Sequence, residues 1–263
     1  MKFNSFFALL RSSILPRVSA LIFVSFLLIL TSGCTGDAYS ELQLASARGQ
    51  TDMISVMLEN GADINDANKH GKTPLMLAAG NGQFESTKLL LERNASIDAQ
   101  DIDGMTALIM ASSSGHDKII KLLLDSGANV NITNNYGATA VTNAAFFNHT
   151  KALAELLNSK IKVDSESNEN ALLFSAGLGN NEIIKLLLSY GVDVNARGKN
   201  GRTPLMAAVE FNHPDTVALL LEHNADPKAR DSEGDSVLRL AEGNGNKAII
   251  KLLTDSTKNL STK

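Results

Sequence analysis

Apolar positions recur along this chain at a period far longer than any helix or strand. Leu42, Leu75, Leu108, Val141, Leu172, Leu205 and Leu238 are spaced by 33 residues, except for one interval of 31. Two places before each stands Ser40, Thr73, Thr106, Thr139, Asn170, Thr203 or Ser236. Three places after each stands Ala45, Ala78, Ala111, Ala144, Ser175, Ala208 or Ala241. Parallel rows at such a period mark stacked copies of one small unit, none of which can bury its apolar face alone.

Each row predicts a piece of local structure. The Ser/Thr/Asn row supplies side-chain acceptors for the free N–H groups that open a helix. Pro74 and Pro204 follow two of these residues, where the missing N–H of proline matters least. A short first helix is therefore expected from each cap to about Gly49, Gly82, Gly115, Asn148, Gly179, Asn212 or Gly245. A second helix carries clusters such as Ile119-Ile120 with Leu122-Leu123-Leu124. It ends at Gly61, Asn94, Gly127, Lys160, Gly191 or Asn224, most of them residues that tolerate the left-handed closing conformation. A turn then falls around Gly71, Gly104, Gly137 or Gly201.

The segment Gly71-Lys72-Thr73-Pro74-Leu75 through Asn94-Ala95-Ser96-Ile97-Asp98 resembles an ankyrin repeat, as do its six counterparts. The resemblance spans residues 37–260. It implies an all-α repeat solenoid of about seven helix–turn–helix units joined by β-hairpin loops. That family often carries a His after Thr-Pro-Leu that bonds between repeats. Here those places hold Met76, Ile109, Thr142, Leu173, Met206 and Arg239, so that network is expected to be missing, with packing supplying the cohesion. The end units are expected to cap the stack with polar residues, Gln43, Ser46 and Arg48 at one end and Thr254, Asp255 and Ser256 at the other. The junction between the fourth and fifth units is the irregular one. Lys160 takes a left-handed position, two loop residues are lost and Asn168 replaces the turn glycine, so residues 158–170 are expected to open most readily.

Residues 1–33 have another character. They carry Lys2, Arg11 and Arg17, no acidic residue, and an apolar run from Val18 to Leu30. Thirteen apolar residues suit a secretory signal better than a membrane span, which needs ~20. The run ends in Leu30-Thr31-Ser32-Gly33-Cys34, which resembles the lipobox of bacterial lipoproteins. The resemblance implies cleavage before Cys34, a lipid on its sulfur, and residues 34–36 as a tether. Thr31 stands where that family usually has Leu, and an ordinary cleaved signal beside a buried cysteine is the alternative. With Thr35 rather than Asp after the cysteine, the resemblance points to the outer membrane, facing the periplasm. Residues 261–263 form a short tail.

The chain is 44% hydrophobic and 20% charged, enough for a packed core, and its 5% aromatic content with no Trp leaves that core to aliphatic residues and Ala. Losing the three positive charges of the signal moves the formal net charge from −4 to −7. An acidic chain does not draw in nucleic acid or anionic lipid. No catalytic constellation, phosphate loop or metal-ligand spacing is found, so neither enzyme chemistry nor a cofactor is expected. Asp101-Ile102-Asp103-Gly104 lacks the later ligands of a calcium loop. His116, His149 and His213 share one register position, which points to a common structural role.

Within an ankyrin resemblance, the loop tips and the first helices bind partners. Ile102, Met105 and Tyr136 near the tips, with Phe146, Phe147, Leu178 and Phe211 before the inter-helix turns, form the candidate apolar binding strip. The alternative is that these rings pack between repeats. Lys69, Lys72, Lys199 and Arg202 are candidates for a polar rim, or are simply solvated. The expected activity is that of a monomeric, lipid-anchored module holding an envelope protein. A second reading is an inhibitor or immunity-type protein covering the active site of a toxin or hydrolase.

Overall fold

The computed structural model describes residues 39–159 and 162–261, in which the chain forms helices and turns, with one isolated antiparallel bridge between Arg230 and Ser236. The signal, Cys34 and Lys160 lie outside the described residues. The chain divides into two compact units. The first runs to Ala140 with residues 159–161, and the second holds 141–158 and 162–263. The first contains α1 Glu41–Arg48, α2 Thr51–Glu59, α3 Pro74–Gly80, α4 Phe84–Glu92, α5 Ala107–Ser114 and α6 Asp117–Asp125. The second contains most of α7 Ala140–Phe146, then α8 Thr150–Leu157, α9 Ser165–Leu178, α10 Asn181–Ser189, α11 Pro204–Glu210, α12 Pro214–Glu222, α13 Val237–Asn244 and α14 Lys247–Ser261. No described helix is long and apolar enough to cross a membrane.

Local chemistry accounts for these boundaries. Ser40, Thr73, Thr106, Thr203 and Ser236 each accept a hydrogen bond from the backbone N–H three residues on, opening α1, α3, α5, α11 and α13. Left-handed residues close both helices of a repeat. Gly49, Gly82, Gly115, Gly179 and Gly245 follow first helices, and Gly61, Asn94, Gly127, Gly191 and Asn224 follow second helices. The amphipathic second helices bury Ile119, Ile120 and Leu123 in the first unit, and Ile183, Ile184 and Leu187 in the second. Each such face is worth several kcal/mol, at ~1.5–3 kcal/mol per large aliphatic side chain removed from water.

Asn170 does not cap a helix. The polar run Ser165-Glu166-Ser167-Asn168-Glu169-Asn170 is itself helical and lengthens α9 to 14 residues, with Asp164 in the extended N-cap conformation. Two missing residues and no glycine leave this segment without a hairpin turn. Asn168 is thus a helical residue whose N–H reaches Asp164 O, and does not stand in for a turn glycine. The other inter-repeat loops form tight turns at the expected places, although among the described residues they carry no β-strand beyond the Arg230–Ser236 bridge. In the first unit the side chains of Asn68, Asp101 and Asn134 each accept backbone N–H groups two and four residues on, and Asp231 does the same in the second.

Hydrogen bonds between repeats are present, contrary to expectation, and arise from another register. The residue before five of the second helices reaches back to the preceding repeat. Gln83 Nε2 donates to Ala47 O at 3.3 Å, and His116 Nε2 lies 3.2 Å from Gly80 O in the first unit. In the second, His213 Nε2 lies 3.0 Å from Gly177 O, Asn246 Nδ2 donates to Asn212 Oδ1 at 2.6 Å, and Asn180 Nδ2 reaches Ala145 O at 3.5 Å. Asn65, Asp98 and Asn195 add a second row, each accepting from a backbone N–H of the next repeat. The polar capping of the first unit is also corrected. Gln43 and Ser46 are buried, Gln43 Nε2 donating 2.7 Å to Asp66 O and Ser46 Oγ bonding Leu42 O within its own helix.

The imidazole of His213 lies over Gly179, where an added Cβ would stand 2.8 Å from Nδ1 at a φ of +72°. Gly191 in the same repeat has a φ of +80° and nothing within 4 Å. Gly191→Ala is expected to cost about 1–2 kcal/mol from the backbone alone. Gly179→Ala is expected to cost measurably more, because His213 must also move. Urea denaturation of the two variants checks this, and equal losses would show that the ring contact contributes nothing.

Candidate binding surface

The described candidates separate by unit. In the first, Ile102 sits at a hairpin tip and is 58% exposed. Its backbone N–H bonds His70 O, so the tip is held although the side chain is free to meet a partner. Tyr136 is half-buried, and its hydroxyl donates to Asp103 Oδ1 at 3.2 Å. Met105 is withdrawn from the candidate set. It is only 7% exposed and receives Asn134 Nδ2 on its sulfur at 3.4 Å, so it joins neighbouring hairpins. The Asp101 carboxylate is engaged by the N–H groups of Asp103 and Met105. Burial pushes its pKa up while those two bonds oppose the shift. Among the described residues no three His, Cys, Asp or Glu side chains converge to hold a metal ion.

The second unit assembles an aromatic cluster at the end of α7. The Phe146 and Phe147 rings meet edge to face, centroids 5.2 Å apart. Phe174, on α9, meets Phe146 edge-on at 6.4 Å. Phe147 also lies 6.4 Å from the His149 ring. All three phenylalanines are half-buried, so each gives part of its ring to the fold and part to the surface. Phe174 is absent from the sequence-derived set. It lies four residues before Leu178, one helical turn away on the same face, a spacing that would have placed it beside the other candidates. Phe211 follows the last turn of α11, and its ring rests on Gly177. A Cβ there would be 3.2 Å from Phe211 Cδ2, so packing between repeats takes part of this side chain. Leu178 is half-buried.

Arg202 is not a rim residue. Its Nη1 pairs with Glu210 Oε2 at 2.7 Å and its Nε with Asp231 Oδ2 at 3.1 Å, all three side chains largely withdrawn from water. The guanidinium thereby ties a hairpin base, the end of α11 and the next hairpin together. Burial pushes the Glu210 carboxyl above its ordinary range, Arg202 opposes this, and Asp231 adds to it. Lys199, in the 3₁₀ turn Lys199–Gly201, is exposed.

Comparison with known proteins agrees with this arrangement. The family model for ankyrin repeats matches residues 22–101, 96–167, 144–231 and 172–263. The chain belongs to the ankyrin-repeat family, an all-helical repeat fold whose members are generic protein–protein interaction modules. Among 565 matching chains of known structure is the human ASB11 ankyrin repeat domain, with a TM-score of 0.72 and 24% identity over 83% of this chain and 98% of that one. That likeness supports the fold alone. No curated protein matches the sequence.

Removing Arg202 leaves Glu210 beside Asp231 without their shared cation. Arg202→Ala is expected to destabilise the protein by about 1.5–3 kcal/mol near neutral pH. The Glu210 pKa is already raised in the fold, so ionising it as pH rises past the ordinary glutamate range opposes folding. Loss of Arg202 enlarges that opposition. The defect should therefore be smallest below the ordinary glutamate pKa, grow as pH rises, and level off above the folded pKa. Urea melts of both proteins across this range measure it, and a pH-independent difference would contradict it.

Proposed function

We propose that this chain is an exported, lipid-anchored binding module that holds an envelope protein through the aromatic cluster of its second unit and performs no catalysis or cofactor chemistry. The observation that carries this reading is the junction of Phe146, Phe147 and Phe174, three half-buried rings, two at the end of one first helix and one within the next. Rigid aromatic side chains that keep part of their area open are the usual anchors of an interface. Ile102 and Tyr136, at hairpin tips, are additional contacts on the first unit. Export and anchoring rest on the basic start, the apolar run Val18–Leu30 and the lipobox resemblance ending at Cys34. Thr35 favours the outer membrane, with the module in the periplasm. The acidic balance of the exported part favours a basic partner over nucleic acid.

Co-purification from membranes tests the surface. A Phe147→Ala, Phe174→Ala double variant should fold, by circular dichroism and urea melting, yet lose the principal partner. A loss of ~2 kcal/mol or more, about 30-fold in affinity, is the size expected for an interface anchor. A folded variant that keeps every partner would show the cluster to be structural only. A captured hydrolase or toxin that loses activity in the complex would turn the reading from holding to inhibition. Anchoring is separable: Cys34→Ala should leave the membrane fraction for the soluble one.

A further inference from the structure

The first repeat is not closed in the way the interior repeats are. Met53, on α2, is 48% exposed, whereas the residues at its register position, Ser86, Ile119, Ile183, Thr216 and Ile249, are all buried. Val56, one turn on along the same face, is 57% exposed, and Leu44 on α1 is 36% exposed at a register position where Met110 and Ala207 are buried and Leu77, Phe174 and Leu240 half-buried. The interior positions are covered by a preceding repeat, and among the described residues none precedes the first. The opposite terminus is more polar, with Arg239, Glu242, Asn244 and Lys247 exposed on α13 and α14 beside Leu238 at 37%.

We propose that this open apolar end is a membrane-docking face, seated on the neutral lipid surface to which Cys34 holds the chain. The inference rests on the lipid anchor proposed above. The chain enters α1 from Tyr39, which stands five positions after Cys34, a reach of at most ~18 Å when fully extended. Thr35, Gly36, Asp37 and Ala38 contain no large apolar side chain, so the tether cannot itself cover Leu44, Met53 and Val56. A lipid on Cys34 brings the bilayer surface within that reach of the face. Exposed Glu41, Asp52 and Glu59 outnumber Arg48 on the same two helices, so the matching surface is zwitterionic rather than anionic. Docking would fix which end of the repeat stack meets the membrane and leave the aromatic cluster, several repeats further along the chain, for the protein partner.

The test uses the lipidated full chain on phosphatidylcholine vesicles. Acylation blocks Cys34, so a single new thiol in Met53→Cys, Val56→Cys or, as a control, Lys121→Cys takes an environment-sensitive fluorophore. Labels at 53 and 56 should shift to the blue and be quenched several-fold more by nitroxide lipids than the label at 121. A chain that floats with the vesicles while position 56 stays as open to aqueous iodide as position 121 overturns the docking face and leaves the anchor standing. A chain that carries no lipid and does not float overturns both. Shielding of position 56 in the soluble Cys34→Ala background, with a doubled mass by light scattering, assigns the face to a second copy and likewise overturns it.

Discussion

The side chains of Gln83, His116, Asn180 and His213, each opening a second helix, reach back across a repeat boundary to a backbone carbonyl of the repeat before. This contact decides much of what surrounds it. Gln83, His116 and His213 lie over Gly49, Gly82 and Gly179, where a Cβ would clash with the incoming side chain. Where Asn148 and Asn212 take that left-handed position, the reaching residue is the shorter Asn180 or Asn246. The choice of Gly or Asn at the end of one helix is thus coupled to the residue opening a helix in the next repeat, because both occupy the same small volume. Glycine is required there by contact as well as by its positive φ.

The same dependence of each unit on its neighbour distributes stability. Each apolar second-helix face is covered only when the adjacent repeat is in place, so cohesion is nearest-neighbour in character. Polar side chains at the hairpins extend it. Asn65, Asp98 and Asn195 accept from the following repeat, and Arg202 gathers Glu210 and Asp231 into one ion-paired cluster. The segment between the fourth and fifth repeats departs from this scheme. Having lost two residues and its glycine, the segment continues as helix from Ser165, which exchanges a rigid tip for a polar helical turn.

A scaffold whose rigidity resides in its repeated positions leaves the remaining positions to vary with the partner. Phe146 stands where other first helices carry small residues such as Gly80, Ser113 and Gly177, and it meets both Phe147 and Phe174. Their value as a binding surface lies in that junction, since three rings supported by two helices hold their positions without a partner. Ankyrin repeats serve as interaction modules across many settings, so the partner follows from such local departures and not from the fold.

The period of 33, the capping residues and the glycines at helix ends determined the repeat architecture, because each acts through backbone chemistry within a few residues of itself. Ser40, Thr73, Thr106, Thr203 and Ser236 open helices as their types require. Side-chain exposure was not legible in the same way. Ile102 and Met105 are both apolar residues beside one turn, yet only Ile102 faces water, because Met105 is covered by the next hairpin. Gln43 and Ser46 resembled a solvated cap but lie buried, while the apolar Met53 and Val56 of the same repeat lie open. The pairing of Arg202 with residues 8 and 29 places further on, and the meeting of Phe146 with Phe174, depend on which repeat lies beside which. Contacts at such separations are made by packing between units, and only the tertiary structure decides them.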